Sequence, residues 1–293
     1  MSKKKRSLLG TIFKILAIIL AVIVFIVGSI YCYLRFALGI DIIDIKNKID
    51  LINKDVSETT LVKNPYLEED IPNGLNSIFG ENSVYSKDEN GEAVFNVEEF
   101  VTLNLLENAK LTDKQFCALA DMFVKQALKG TEQENIADNI QIKQIIFSNL
   151  SVAENITSVN MNVIVKFSLS EVKNDLKKND NVLVDFILNY IPDAIYFTDD
   201  FSVNVNTLNN SYTTSSNYFV INQLSKQQSK EIVNLVDKFF AKEKSMIDEI
   251  HETIIGYLFG SEDKSGLINT INNVSGFNFE QVESTIYLML KKA

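Results

Sequence analysis

The chain has 293 residues, of which 46% are hydrophobic and 23% charged, the composition of a folded protein rather than a disordered one. Six basic residues (Lys3, Lys4, Lys5, Arg6, Lys14 and Arg35) lie within 1–40 with no acid among them, and the remaining 22 face all 38 acids, so residues 41–293 sum to −16. That balance repels phosphate backbones and excludes nucleic acid as a partner, and with Arg confined to positions 6 and 35 the acidic part has no guanidinium fork for gripping phosphate.

Residues Ile15–Leu34 form a run of 20 without a charge. At 1.5 Å per helical residue such a run spans the roughly 30 Å of a bilayer's hydrocarbon. Lys14 and Arg35 flank it, and Tyr31 and Tyr33 stand where an interfacial aromatic belt belongs. The basic cluster on the N-terminal side predicts residues 1–14 as a cytoplasmic tail, 15–35 as a transmembrane helix and the rest as extracytoplasmic, a single-pass protein of the cell membrane. Ala37 and Gly39 make a small-x-small pair, after which a signal peptidase would cut. The apolar run exceeds the ~7–15 residues of a signal-peptide core, so retention of the anchor is expected.

Residues 36–60 read as a juxtamembrane amphipathic helix. Ile42, Ile45, Ile49, Ile52 and Val56 recur at alternating steps of three and four, a narrow stripe better explained by packing on the chain's own domain than by a paired stalk. The extracytoplasmic domain then occupies 61–293. Asn90-Gly91 predicts a hairpin turn joining 83–86 to 93–97. Thr112 and Gln115 form a capping box for a helix whose core face carries Phe116, Leu119, Ala120, Phe123 and Val124, with Gly130 as its stop. Val159, Met161, Val163, Val165, Phe167 and Leu169 alternate as a long strand, with 140–150 expected beside it. Helices are expected at 171–177 and 182–191. Phe201, Val203 and Val205 alternate again, and 218–222 returns beside them.

Ser225 and Gln228 cap a helical stretch whose stripe runs through Ile232, Val236, Phe239, Ile250, Ile254 and Leu258, with a break or kink at 242–245. Two last helices are expected at 264–274 and 279–291, the second capped by Asn278 and Gln281. The predicted class is α+β: an antiparallel twisted sheet with C-terminal helices, preceded by the transmembrane helix.

The chemistry-bearing residues are sparse. His251 is the only histidine, and Ile255 stands where a zinc-protease motif needs its second His. Acids adjoin at Glu68-Glu69-Asp70, Glu98-Glu99 and Asp199-Asp200, and neighbours on a strand would point to opposite faces; Asp199-Asp200, read as a turn before a strand, is a candidate calcium ligand pair, whereas Asp88-Glu89-Asn90-Gly91 lacks the spacing and terminal Glu of a calcium loop. No catalytic residue, metal ligand or cofactor is assigned. Cys117 reads as a small buried apolar residue.

Lys166–Leu169, Val184–Tyr190 and Phe201–Val205, in the order anchor, short helix, strands, apolar segment, strands, resemble a segment of the YpmS-like envelope proteins of Gram-positive bacteria, within residues 112–222. The resemblance implies an N-terminally anchored envelope protein and implies no activity. The expected function is an extracytoplasmic binding protein whose first candidate ligand is a lipid or other apolar chain, facing Val163, Val165, Phe167, Ile232, Val236, Phe239, Ile250 and Ile254. An envelope scaffold that recruits proteins is the second reading, and a carboxylate-dependent hydrolase the third.

Overall fold

The computed structural model describes residues 47, 50–53, 56–89, 91, 93–128, 139–170, 173, 192–239, 244–260 and 266–293. The basic tail, the apolar run, Gly39 and the helices expected at 171–177 and 182–191 lie outside these, Lys173 excepted, as does most of the juxtamembrane stripe. Among the described residues no helix is long and apolar enough to cross a membrane.

The chain is α+β with antiparallel sheets. Helices α1 (Glu58–Leu61) and α2 (Asp70–Phe79) come first, followed by the hairpin β1 (Tyr85–Lys87) and β2 (Ala93–Phe95). Its register, Tyr85 opposite Phe95 and Lys87 opposite Ala93, closes around Gly91, whose φ of 81° suits a residue without a Cβ. Helix α3 (Val97–Phe100) is capped by the Asn96 side chain, which accepts from Glu99 N at 3.1 Å. Strand β3 (Lys110–Leu111) leads into α4 (Asp113–Leu128). The expected capping box is present: Thr112 N donates to Gln115 Oε1 at 3.0 Å, and Gln115 N to Thr112 Oγ1 at 3.2 Å.

Strands β4 (Ile140–Ala153), β5 (Ile156–Ser168), β6 (Ala194–Asn206) and β7 (Ser211–Ile221) form a four-stranded sheet in chain order. Helices α5 (Lys226–Phe239) and α6 (Met246–Phe259) follow, with Lys244 and Ser245 non-helical between them, where a break was expected. Asp237 anchors that break: its carboxylate accepts from Ser245 Oγ at 2.9 Å and from Met246 N at 3.0 Å. The Ser225–Gln228 box caps α5 with bonds of 2.9 and 3.2 Å.

The C-terminal end departs from the expectation. Only α7 (Leu267–Thr270) is helical after residue 266; β8 (Val274–Val282) and β9 (Thr285–Lys292) form a hairpin turning at Glu283, and β9 pairs on its other side with β3. The helix expected at 264–274 shortens to α7, and the one expected at 279–291 is replaced by strands. The physical reason is the period of burial: Phe277 and Phe279 are buried, as are Leu288 and Leu290, so apolar residues recur every second position. Asn278, expected as a helix cap, lies within β8 opposite Met289.

The described residues divide into two compact units, one drawn from 1–61, 166–197 and 219–253, the other from 62–165, 198–218 and 254–293. In the second unit a closed ring of phenylalanines holds the core. Phe116 packs on Phe147 at 6.1 Å, Phe147 on Phe279 at 5.3 Å, Phe279 on Phe277 at 6.0 Å, Phe277 on Phe259 at 4.8 Å, and Phe259 returns to Phe116 at 6.1 Å. Tyr212 stacks against both Phe259 and Phe277 and donates its hydroxyl to Gly260 O at 2.6 Å. In the first unit Phe197 packs between Phe167 at 5.1 Å and Phe219 at 5.5 Å.

Phe123, expected in the core, is only half-buried. The buried arc of α4 instead takes in Phe116, Cys117, Ala118, Leu119, Ala120 and Asp121. Truncating Phe259 to Ala should therefore cost about 3–5 kcal/mol, whereas Phe123→Ala should cost under about half of that. Urea unfolding of the two variants followed side by side by tyrosine fluorescence measures the difference; equal losses would place Phe123 in the core after all.

Candidate functional site

The eight apolar positions singled out in the sequence are six with described side chains and two, Val236 and Phe239, whose side chains lie outside the described residues. Val163, Val165, Phe167, Ile232, Ile250 and Ile254 are each buried. The structure brings Val163 and Val165 together on one face of β5, and sets Ile250 and Ile254 one turn apart on α6. Phe167 belongs to the aromatic trio with Phe197 and Phe219. The surface of these six side chains is occupied by protein atoms.

Polar side chains, by contrast, line up across the sheet of the second unit. Ser158 Oγ donates to Asn204 Oδ1 at 2.6 Å, Ser202 Oγ to Asn160 Oδ1 at 2.9 Å, and Asn162 Nδ2 to Asp200 Oδ2 at 3.3 Å. Residue numbers rise along β5 as they fall along β6, the signature of antiparallel pairing. The row through Asn162 crosses the sheet: Gln144 Nε2 donates to Asn162 Oδ1 at 3.0 Å, and Asn217 Nδ2 donates to Asp200 Oδ1 at 3.0 Å. Gln144 Oε1 accepts from the backbone N–H groups of Lys63 and Asn64 at 2.6 and 2.9 Å. Burial, and next the Asp200 carboxylate, push the Tyr218 hydroxyl up, so it stays protonated and can donate. These half-buried amides and hydroxyls largely satisfy one another.

Asp199 and Asp200 are thus strand residues, not the turn expected from the sequence. Strand alternation sends Asp200 into the polar row and Asp199, fully buried, to the other face. No group of carboxylates, histidines and cysteines able to hold a metal occurs among the described residues. His251 lies half-buried on α6.

The sequence reading missed Asp121. It sits on the core side of α4, buried, with Oδ1 accepting from Ile142 N at 2.6 Å and Oδ2 accepting from Tyr66 Oη and Lys125 Nζ, both at 2.7 Å. The carboxylate thereby ties β4 and the segment before α2 to one helix. Burial first, and then Asp121, raise the Tyr66 hydroxyl far above its ordinary range, which keeps it a donor. The one signal available was an acid one position beyond the apolar face of a capped helix.

Cys117 lies one turn before Asp121, fully buried, with Sγ 3.7 Å from Ile142 O. Burial, followed by Asp121, drives its thiol well above the usual value.

The first unit holds a different cluster. Glu58 Oε2 accepts from Tyr196 Oη at 2.6 Å and pairs with Lys166 Nζ at 3.0 Å, and Lys166 Nζ stands 5.7 Å from the Tyr196 ring centroid. Asn222, buried at a φ of 51°, uses both ends of its amide: Oδ1 accepts from Tyr196 N at 2.8 Å and Nδ2 donates to Ile52 O at 2.9 Å. Asparagine tolerates that left-handed backbone better than most side chains. Burial, then Glu58, raise the Tyr196 hydroxyl.

Comparison of the chain with models of protein families, with curated proteins and with solved structures gives no match.

Two outcomes follow from the buried groups. Asp121→Ala takes the acceptor from three donors, Ile142 N, Tyr66 Oη and Lys125 Nζ, and should cost about 3–5 kcal/mol, while Tyr66→Phe removes a single charge-assisted bond and should cost about 1.5–3 kcal/mol, both read from denaturant midpoints. A thiol reagent at pH 8 should leave Cys117 unmodified in the folded Cys32→Ser chain and modify it in urea, because the raised thiol pKa and burial both withhold the thiolate; reaction of the folded chain at the rate of a free cysteine would contradict the packing described.

Proposed function

We propose that this chain is a single-pass protein of the cell membrane, N-terminus inside, whose α+β part stands outside and works by binding a partner rather than by catalysis. The observation that carries the reading is the uncharged run Ile15–Leu34 between a basic N-terminal cluster and a part of net charge −16. The resemblance of Phe201–Val205 and its flanking segments to the YpmS-like envelope proteins agrees with it.

Within that reading the partner is engaged at the surface. The six described residues expected to face an apolar ligand are buried by protein, so they support a filled interior. The raised groups among the described residues are tyrosine hydroxyls, the Cys117 thiol and the Asp113 carboxyl, each raised first by burial, and they do not converge on one cleft in the hydrogen bonds described. An envelope protein or wall polymer meeting amide and hydroxyl rows such as Asn160–Ser202 is the partner chemistry that fits.

Two measurements test the proposal. Glu89, exposed in the β1–β2 turn, is replaced by Cys in the full chain carrying Cys32→Ser, and wall-stripped cells are treated with a membrane-impermeant maleimide. Labelling without permeabilisation is expected; labelling only after permeabilisation would reverse the orientation. Residues 41–293 prepared without detergent should give the bare protein mass in native spectra, and a stoichiometric lipid increment would restore the apolar-ligand reading.

A further inference from the structure

At one end of the four-stranded sheet two turns lie side by side. The β4–β5 turn is Glu154-Asn155, with Glu154 at a φ of 53°, and the β6–β7 turn spans 207–210, with Asn210 at 54°. Asn155 O accepts from Thr207 N at 2.9 Å and from Thr207 Oγ1 at 3.2 Å, which fastens one turn to the other within the second unit. Three aliphatic residues flank that fastening, Leu208 at 74% exposed, Val152 at 68% and Ile156 at 38%. A single exposed apolar side chain needs no account; three at one fastened pair of turns mark a contact surface.

The backbone that displays Leu208 is pinned on every side. Asn206 Oδ1 accepts from Leu208 N at 3.0 Å, Asn209 Oδ1 from Ser211 N at 3.1 Å and from Ser211 Oγ at 2.7 Å, and Asn210 Oδ1 from Lys291 Nζ at 2.9 Å. Asn210 also seats on Gly276, where an added Cβ would come within 2.7 Å of the Asn210 Cβ. The polar side chains at 206, 207, 209 and 210 are thus spent on fixing the turn, and the apolar one among them is left in solvent. A contact made by a backbone already ordered loses little entropy on forming.

Size and charge select the occupant. A stable protein interface recruits about 20–30 residues a side and centres on aromatic or Arg anchors. The turns offer three aliphatic residues, the chain has no Trp and no Arg beyond position 35, and Tyr212, the aromatic next along β7, packs inward on Phe259 and Phe277. Hydrocarbon takes up aliphatic side chains one by one from any side of a turn, provided charge stays out. In a part of net charge −16, residues 201–218 carry no charge and 144–165 carry only Glu154. We propose that the paired turns dip into the surface of a lipid bilayer, with Leu208 and Val152 leading. The proposal rests on the membrane reading above. Glu154 limits the depth to the boundary of headgroups and acyl chains, about 5–10 Å in.

The test uses the full chain in vesicles of phosphatidylcholine brominated near the headgroup end of its acyl chains, which quench a fluorophore that touches them. The fluorophore is attached in detergent, before reconstitution, to Val152→Cys or to the exposed standard Glu89→Cys, each with Cys32→Ser, or to Cys32 itself. Bromination should quench the Val152→Cys reporter at least about twofold more than the Glu89→Cys reporter, as an interfacial contact requires. Leu208→Asp together with Ile156→Asp should bring it down to the standard while Cys117 stays unreactive, since both replaced side chains are exposed. Equal quenching of the two reporters, or quenching that the aspartates leave untouched, would overturn the contact. So would a Val152→Cys signal that follows protein concentration and ignores bromination, the mark of a second copy or another protein. The Cys32 reporter decides the anchor separately: without quenching there the anchor reading falls, and the Val152→Cys result on the same vesicles still decides the turns.

Discussion

Five phenylalanine rings packed edge and face into a closed circuit are the contact on which the second unit depends. They come from α4, β4, α6 and β8, segments separated by as many as 160 or so residues of chain, and each ring touches two others. A linear stack can lose an end member and keep the rest; a circuit loses two contacts with any member. The circuit also explains why the chain returns to a sheet after its last helices. Phe277 and Phe279 reach the ring only if their backbone is extended, because i and i+2 share a face on a strand and not on a helix.

In each unit, buried polar side chains hold backbone in place. Asp121 uses a buried charge to join a strand to a helix. Asn222 replaces a turn of regular structure with its own amide. Gln144 accepts two backbone N–H groups that no strand reaches. Each spends its hydrogen-bonding capacity on the protein itself, as buried polar groups must when water is excluded. Asp121, Asn222 and Gln144 are spent in this way, while the rows of amides and hydroxyls on the sheet of the second unit remain half open to solvent.

Much of this architecture could be read from local signals. The Thr112–Gln115 and Ser225–Gln228 boxes form the bonds their spacing predicts, because a capping box is satisfied within four residues and needs nothing from the rest of the fold. The Asn90-Gly91 hairpin and the alternation of β5 are equally local. The last hairpin was not legible for the converse reason. Asn278 and Gln281 imitate a capping box, and the alternation Phe277, Phe279 is too short to outweigh it; the deciding partner, Phe147, lies some 130 positions away. Asp121 was hidden in the same way, since its partners Tyr66 and Ile142 are far from it in sequence. The six described apolar positions expected to meet a ligand were legible as buried, which alternation and helical spacing do encode; what covers a buried face is not encoded in either.

Strand β9 is the last element of the chain and the middle strand of its sheet, flanked by β8 and by β3. Leu111, some 180 positions earlier, waits for Leu288 before it has a partner. A ribosome or a translocation channel that delivers the chain from the N-terminus therefore holds the second unit open until β9 emerges. Through that interval Phe116 and Phe147 lack the neighbours that bury them, and a growing chain adds only about 5–20 residues per second. The second unit thus closes only once β9 has been delivered, and a chain stopped before β9 leaves exposed the aromatic surface that marks unfinished protein for disposal.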